Sequence, residues 1–243
     1  VDLRGEPIFT IDSAHSKDLD DAVSLKVLPD GYELGVHIAD VSHYVRRGSA
    51  LDEEALARGT SVYYANSVIP MLPKELSNGI CSLNEKEDRL AFSCFVQLDK
   101  GGLMTGYEFK KSVIRSRVKG VYKEINAILG HTASDEILQK YDGLVDTIFQ
   151  MNDLAAILMK NRFGRGALDI DSTESEIVLD ADGVAIDIRP RERGISERII
   201  EEFMLTANEA AATLAKEEGL PFIYRVHEQP PEEKVQALRD VLN

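Results

Sequence analysis

The chain has 243 residues, 44% of them hydrophobic, enough for one large core or two small ones. No run of eighteen apolar residues and no basic-then-apolar leader is present, so neither a membrane span nor a signal peptide is expected. The net charge of −14 argues at face value against a nucleic-acid partner, but its distribution matters more than its sum.

The first element is a β-rich run, Pro7-Ile8-Phe9-Thr10-Ile11, and Ala22-Val23-Ser24-Leu25-Lys26-Val27 follows with period-two alternation. Between them, in TIDSAHSKDLDDAV, stand Asp12, Asp18, Asp20 and Asp21. At ~4 Å a like-charged pair costs ~1 kcal/mol in water and about 4 kcal/mol at an effective dielectric near 20. An acidic run is more often a solvated loop, but these flanks place the carboxylates at a sheet end, on a rigid frame. A calcium EF-hand fails on register, because counting from Asp18 puts Val23 where glycine is required and Pro29 where glutamate closes the loop. Hard divalent cations with oxygen ligands suit such a cluster, and the stretch reads as a magnesium site for phosphodiester chemistry, with manganese as a possible substitute.

Asp30-Gly31 reads as a hairpin turn, followed by a strand with Tyr32, Leu34, Val36 and Ile38 on one face. Leu51 to Arg58 reads as a short helix with acids in its first turn. Leu90–Leu98 and Met104–Val118 read as long strands joined at Lys100-Gly101-Gly102. Ser134 to Asn161 has helical periodicity, a second hairpin is expected around Asp182-Gly183, and Ser196 is expected to cap a helix reaching Glu218. Pro231 opens a last helix. These elements read as one mixed domain of helices and strands over 1–243. Starting on Val1 and stopping at Asn243 inside a helix, the chain is expected to be an excised piece of a longer protein.

From Phe109 to Lys123 the chain carries Lys110, Lys111, Arg115, Arg117, Lys119 and Lys123 and no acid. In so acidic a protein this strip suits a phosphate backbone, although lysines also keep a strand edge soluble. Tyr122 closes it, giving cations for phosphates and an aromatic face for a base, whose stacking contributes ~1–3 kcal/mol, although a tyrosine there can equally pack in the core with its hydroxyl satisfied. Cys81 and Cys94 are too few for a zinc knuckle and read as buried thiols of a reducing cytoplasm. The five histidines read as structural, with His37 and His43 in a segment of inward-facing alternation and His227 beside a strand.

Six motifs occur in order: TIDSAHSKDLDDAV, HIADVSHYV, the segment from Arg58 to Ala91, GALDID, IEEFMLTANE and YRVHE. Together they resemble the ribonuclease II/ribonuclease R family, nearer to ribonuclease R. The resemblance implies an RNB catalytic domain, C-terminally truncated, of α+β class with a mixed, largely antiparallel sheet wrapped by helices. It would belong to a cytoplasmic, monomeric, processive 3′-to-5′ exoribonuclease. Such an enzyme cleaves single-stranded RNA to nucleoside 5′-monophosphates at a magnesium site. The family's four motif aspartates match Asp12, Asp18, Asp20 and Asp21. Its tyrosine near the 3′-terminal base matches Tyr122, and a second RNA-contacting aromatic matches Tyr63, although Tyr64 makes that register ambiguous and one of the two is expected in the core.

Two metal ions about 4 Å apart can activate a water and stabilise the leaving oxygen of an in-line displacement. The expected division gives Asp12, Asp18 and Asp21 to the metal and Asp20 to the attacking group, with Arg117 and Lys119 beside Tyr122 and Tyr63 on RNA. The family's later arginine-containing segment and its flanking RNA-binding domains are not within these residues. The chain alone is therefore expected to bind metal but to turn over RNA poorly. The alternatives are a catalytically impaired RNA-binding module and a metal-dependent hydrolase of another phosphodiester such as DNA.

Overall fold

The computed structural model describes residues 1–168, 175–190, 193–226 and 228–242. It forms two compact units, Val1–Asn208 and Glu209–Asn243. In chain order the first holds β1 (Thr10–Asp12), β2 (Asp21–Leu28), β3 (Gly31–Ala39), α1 (Val41–Tyr44), α2 (Ala50–Arg58), β4 (Val62–Tyr63), β5 (Val68–Ile69) and a wide helical turn at Glu75–Ile80. There follow β6 (Asp88–Asp99), β7 (Met104–Arg115), β8 (Lys119–Val121), α3 (Tyr122–Leu129), α4 (Asp135–Lys140), α5 (Val145–Gly164), β9 (Ser175–Leu179), β10 (Ala185–Pro190) and the start of α6 (Ile195–Glu217). The mixed, largely antiparallel α+β architecture read from the sequence is the one observed. No helix among the described residues is long and apolar enough to cross a membrane.

The centre is an antiparallel meander in the order β2-β3-β6-β7. The N-terminal segment serves both its outer strands: Leu3 N donates to Val113 O on β7 at 2.8 Å, and Phe9 and Val23 exchange backbone bonds on β2 at 3.2 and 2.9 Å. Unpaired edge groups are thereby reduced. The β2–β3 turn falls one residue earlier than expected, at Pro29-Asp30, because Leu28 pairs with Gly31. Gly31 instead allows a close strand crossing, since a Cβ there would come within 1.9 Å of Leu98 O.

One polar line crosses this sheet. Ser24 Oγ lies 3.0 Å from His37 Nε2, His37 Nδ1 lies 2.7 Å from Ser93 Oγ, Ser93 Oγ lies 2.7 Å from Ser112 Oγ, and Ser112 donates to Ala91 O at 3.2 Å. With Ser112 committed as donor there, every link is satisfied if His37 carries its proton on Nδ1. His37 is fully buried, as a structural histidine should be, whereas His43 lies exposed on α1 beside the Tyr44 ring. His227 lies outside the described residues. Both cysteines are buried and free, and burial pushes the Cys94 thiol up to about 12.

Two helical expectations change, and one helix went unread. The stretch 134–161 divides into α4 and α5, because Gly143 takes the left-handed conformation (φ +72°). Helix α3 went unread in the sequence; it buries Ile125 and Ile128 and lies against α5. Helix α6 starts at Ile195, so Ser196 is not its cap: Ser196 N donates to Asn126 Oδ1 at 2.9 Å and its hydroxyl to Tyr122 O at 3.2 Å. The strand expected to reach Val118 ends at Arg115, and β8 then pairs with β1.

In the second unit Gly219 (φ +62°) ends α6, with Leu220 N returning to Ala215 O at 2.9 Å. The helix opened by Pro231 forms as α7 (Glu232–Leu242).

Candidate active site

Two strand ends and the loop between them bring the four aspartates into one region. Strands β1 and β8 run parallel, with Thr10 opposite Lys119, Ile11 opposite Gly120 and Asp12 opposite Val121. Gly120 lets them approach, since a Cβ there would lie 2.3 Å from Thr10 O. Asp12 is the last residue of β1, and Asp21 the first of β2, where it pairs with Ile38.

The loop between is held from several sides. Leu19, only 1% exposed, sinks into a core with Ile8, Ala22, Ala39, Leu83, Ala91 and Ile114, so its neighbours Asp18 and Asp20 flank an apolar anchor. Burying a leucine contributes ~1.5–3 kcal/mol. Ser82 Oγ accepts from Leu19 N at 3.0 Å and lies 2.9 Å from Lys17 O, Leu83 N donates to Leu19 O at 2.8 Å, and Ala39 N donates to Asp20 O at 2.9 Å. Lys119 Nζ donates to Ala14 O and Ser16 O.

The electrostatics follow from that crowding. Burial, then the charge of Asp21, raise Asp12 to about 7 against the pull of Lys119, with Asp20 and Asp18 adding to the rise. Burial and Asp20 raise Asp21 to about 6, and Asp20 is raised by burial and Asp18. Among the described residues Asp12 Oδ2 is buried with no hydrogen-bond partner, a condition that ordinarily costs ~1–3 kcal/mol or more for a charged group. Asp18 Oδ2 accepts the Tyr63 hydroxyl at 2.9 Å.

Among the described residues no three carboxylates, imidazoles or thiolates converge tightly enough to cage an ion by themselves. The fit is one of donor chemistry. These are hard oxygen ligands, one with unspent lone pairs, and magnesium takes one or two carboxylates and completes its shell with water and substrate phosphates.

The expected RNA contacts stand in varied settings. Tyr122 is half-buried at the start of α3. Tyr63 and Tyr64 are 64% and 58% exposed, so neither is a core residue, because both lie on the two-stranded arm formed by β4, β5 and their turn. Arg117 donates through Nη2 to Gly5 O at 3.0 Å.

Elsewhere the basic strip is largely committed within the fold. Lys110 pairs with Glu108 at 2.6 Å, Lys111 with buried Asp40 at 3.1 Å, and Arg115 with Asp88 at 2.7 Å. The linear count missed this because these acids lie just before the strip on β7, between β3 and α1, and at the start of β6. Sequence reasoning also missed Ser82, whose CSLN context gave no sign that its hydroxyl holds the acidic loop. In the GALDID motif, residues 169–171 lie outside the described residues.

The family profile of the RNB domain matches residues 1–243. The chain belongs to the RNB family. This RNB chain is 50% identical over 243 residues to ribonuclease R of Thermotoga maritima, covering 99% of the chain and 34% of that relative. It is 49% identical to ribonuclease R 1 of Lactococcus lactis, covering 99% of the chain and 29% of the relative. Among solved structures, Mycoplasma genitalium RNase R in complex with ribose methylated single-stranded RNA superposes with a TM-score of 0.92 at 33% identity, over 99% of this chain and 37% of the other. The RNB chain thus spans about a third of the length of the curated relatives it matches.

Proposed function

We propose that this RNB chain is the hydrolytic part of a magnesium-dependent 3′-to-5′ exoribonuclease that degrades single-stranded RNA to nucleoside 5′-monophosphates. The observation that carries the reading is the gathering of carboxyls at the ends of β1 and β2: Asp12, Asp20 and Asp21 are each raised by burial and a neighbouring aspartate, and Asp12 Oδ2 is unpartnered among the described residues, in a chain whose relatives are named ribonuclease R. Asp12, Asp18 and Asp21 are the residues to hold magnesium, which when bound supplies Lewis acidity and a lowered pKa for its water. Asp20, the most exposed of the four, is suited to orient the attacking water and accept its proton. Lys119 and Ser82 keep the loop in place while the phosphodiester enters. Tyr122 offers an aromatic face to a base.

The test uses a 5′-labelled RNA oligomer and its DNA counterpart, digested by a protein of ribonuclease R length that carries this chain. Progressive shortening of RNA alone, requiring Mg²⁺ and abolished by Asp20→Asn, is the expected result. Equal digestion of DNA points to a broader phosphodiesterase, and RNA binding without cleavage points to a non-catalytic module. Wild-type turnover in the Asp20→Asn protein refutes the role given to that residue.

A further inference from the structure

The acidic loop is fixed at its backbone by Ser82, Leu83 and Lys119, but those bonds do not aim the Asp18 carboxylate. Among the described residues its one side-chain hydrogen bond is to a residue 45 positions away, the hydroxyl of Tyr63, which donates to Asp18 Oδ2 at 2.9 Å. Tyr63 can aim because its arm is itself braced. Val62 pairs with Ile69 and Tyr63 with Val68, Tyr64 N donates to Ser67 O at 2.8 Å, and Met71 N donates to Ser61 Oγ at 2.9 Å across the arm's base. Arg58 Nη1 adds a bond to Pro70 O at 3.2 Å.

From this geometry we infer that Tyr63 is a positioning residue for the cation site: its hydroxyl orients Asp18 for a divalent ion, separately from any contact its ring makes with RNA. The inference rests on the metal-site reading above. A carboxylate has about four lone-pair sites, so accepting one phenolic hydrogen leaves the rest for an ion while removing rotational freedom. Carboxylate ligands are commonly held this way, and loss of such an outer partner typically lowers metal affinity 10–100-fold. Tyr63 is 64% exposed, so removing its hydroxyl leaves the buried core intact. The aromatic face and the hydroxyl are thus separable by Tyr63→Phe.

The experiment measures Mn²⁺ affinity of the 243-residue chain by the loss of free-ion electron paramagnetic resonance signal. The proteins are wild type, Tyr63→Phe, Asp18→Asn and the double variant. The inference expects Tyr63→Phe to weaken Mn²⁺ binding about tenfold or more, and to have no further effect once Asp18 is already Asn. Unchanged affinity in Tyr63→Phe overturns it, as does an equal loss with and without Asp18, while the metal-site reading survives either result. A wild-type chain that binds no Mn²⁺ brings down that reading and the inference together.

Discussion

The ammonium of Lys119 donates to the carbonyl oxygen of Ser16 at 2.6 Å, and a second bond reaches Ala14 O at 3.0 Å. The lysine expected on RNA also clasps the acidic loop, and the same charge opposes the rise of Asp12. Charged hydrogen bonds contribute ~1.5–3 kcal/mol, less where solvent reaches them. Lys119→Met is therefore expected to lower unfolding free energy by about 1–2 kcal/mol in urea denaturation and to speed amide exchange at residues 13–16. A lysine serving RNA alone would leave both unchanged.

Leu19 separates two of the carboxylates and anchors them. Leu19→Ala is expected to cost ~2–5 kcal/mol. Because the cavity opens beneath Asp18 and Asp20, the variant should also bind Mn²⁺ more weakly while still folded. Denaturation and Mn²⁺ titration of one preparation check both.

Gly120 sets the spacing of β1 and β8, and a methyl there would sit 2.3 Å from Thr10 O. The backbone must shift, which in packed interiors costs typically ~1–3 kcal/mol. Gly120→Ala should lose that stability and shift the amide resonances of Thr10, Ile11 and Asp12 far more than those of β6. An unperturbed β1 spectrum would contradict the close-approach argument.

Burial, with a contribution from Lys26, holds the His37 imidazole down to about 4. A histidine depressed in the native state contributes stability that is complete above its unfolded pKa of about 6.5 and is lost as pH falls toward the native value. Between pH 7 and pH 5 this amounts to about 2 kcal/mol. Nitrogen NMR of the ring should still show a neutral imidazole at pH 5, protonated on Nδ1. A charged ring at that pH would refute both the burial argument and the direction of the Ser24–His37–Ser93–Ser112 line.

Local pattern carried much of this molecule. Strands β2 and β3, the Gly102 and Gly183 turns and the apolar stripe of α6 were legible because each is set by neighbours within a few residues, although β2 buries Ala22 to Leu25 in a row where alternation was expected. The four aspartates were legible as a cluster for the same reason. What sequence did not reveal depends on distant partners. Lys111 meets Asp40, Tyr63 meets Asp18 and Ser82 meets Leu19 only after the sheet has formed. Helix α3 escaped because its eight residues follow a strand without a capping side chain. The Ser196 cap was misplaced because Asn126, seventy residues away, meets the backbone amide of Ser196.

On the function proposed above, Asp12 and its neighbours gather to bind a divalent ion. Anomalous diffraction from crystals of the chain soaked in Mn²⁺ tests it most directly. A peak within coordination distance of Asp12 Oδ2, shared with Asp21 or Asp18 and absent from Asp12→Asn crystals, is the expected result. Full Mn²⁺ occupancy elsewhere, with no density at Asp12, would contradict it.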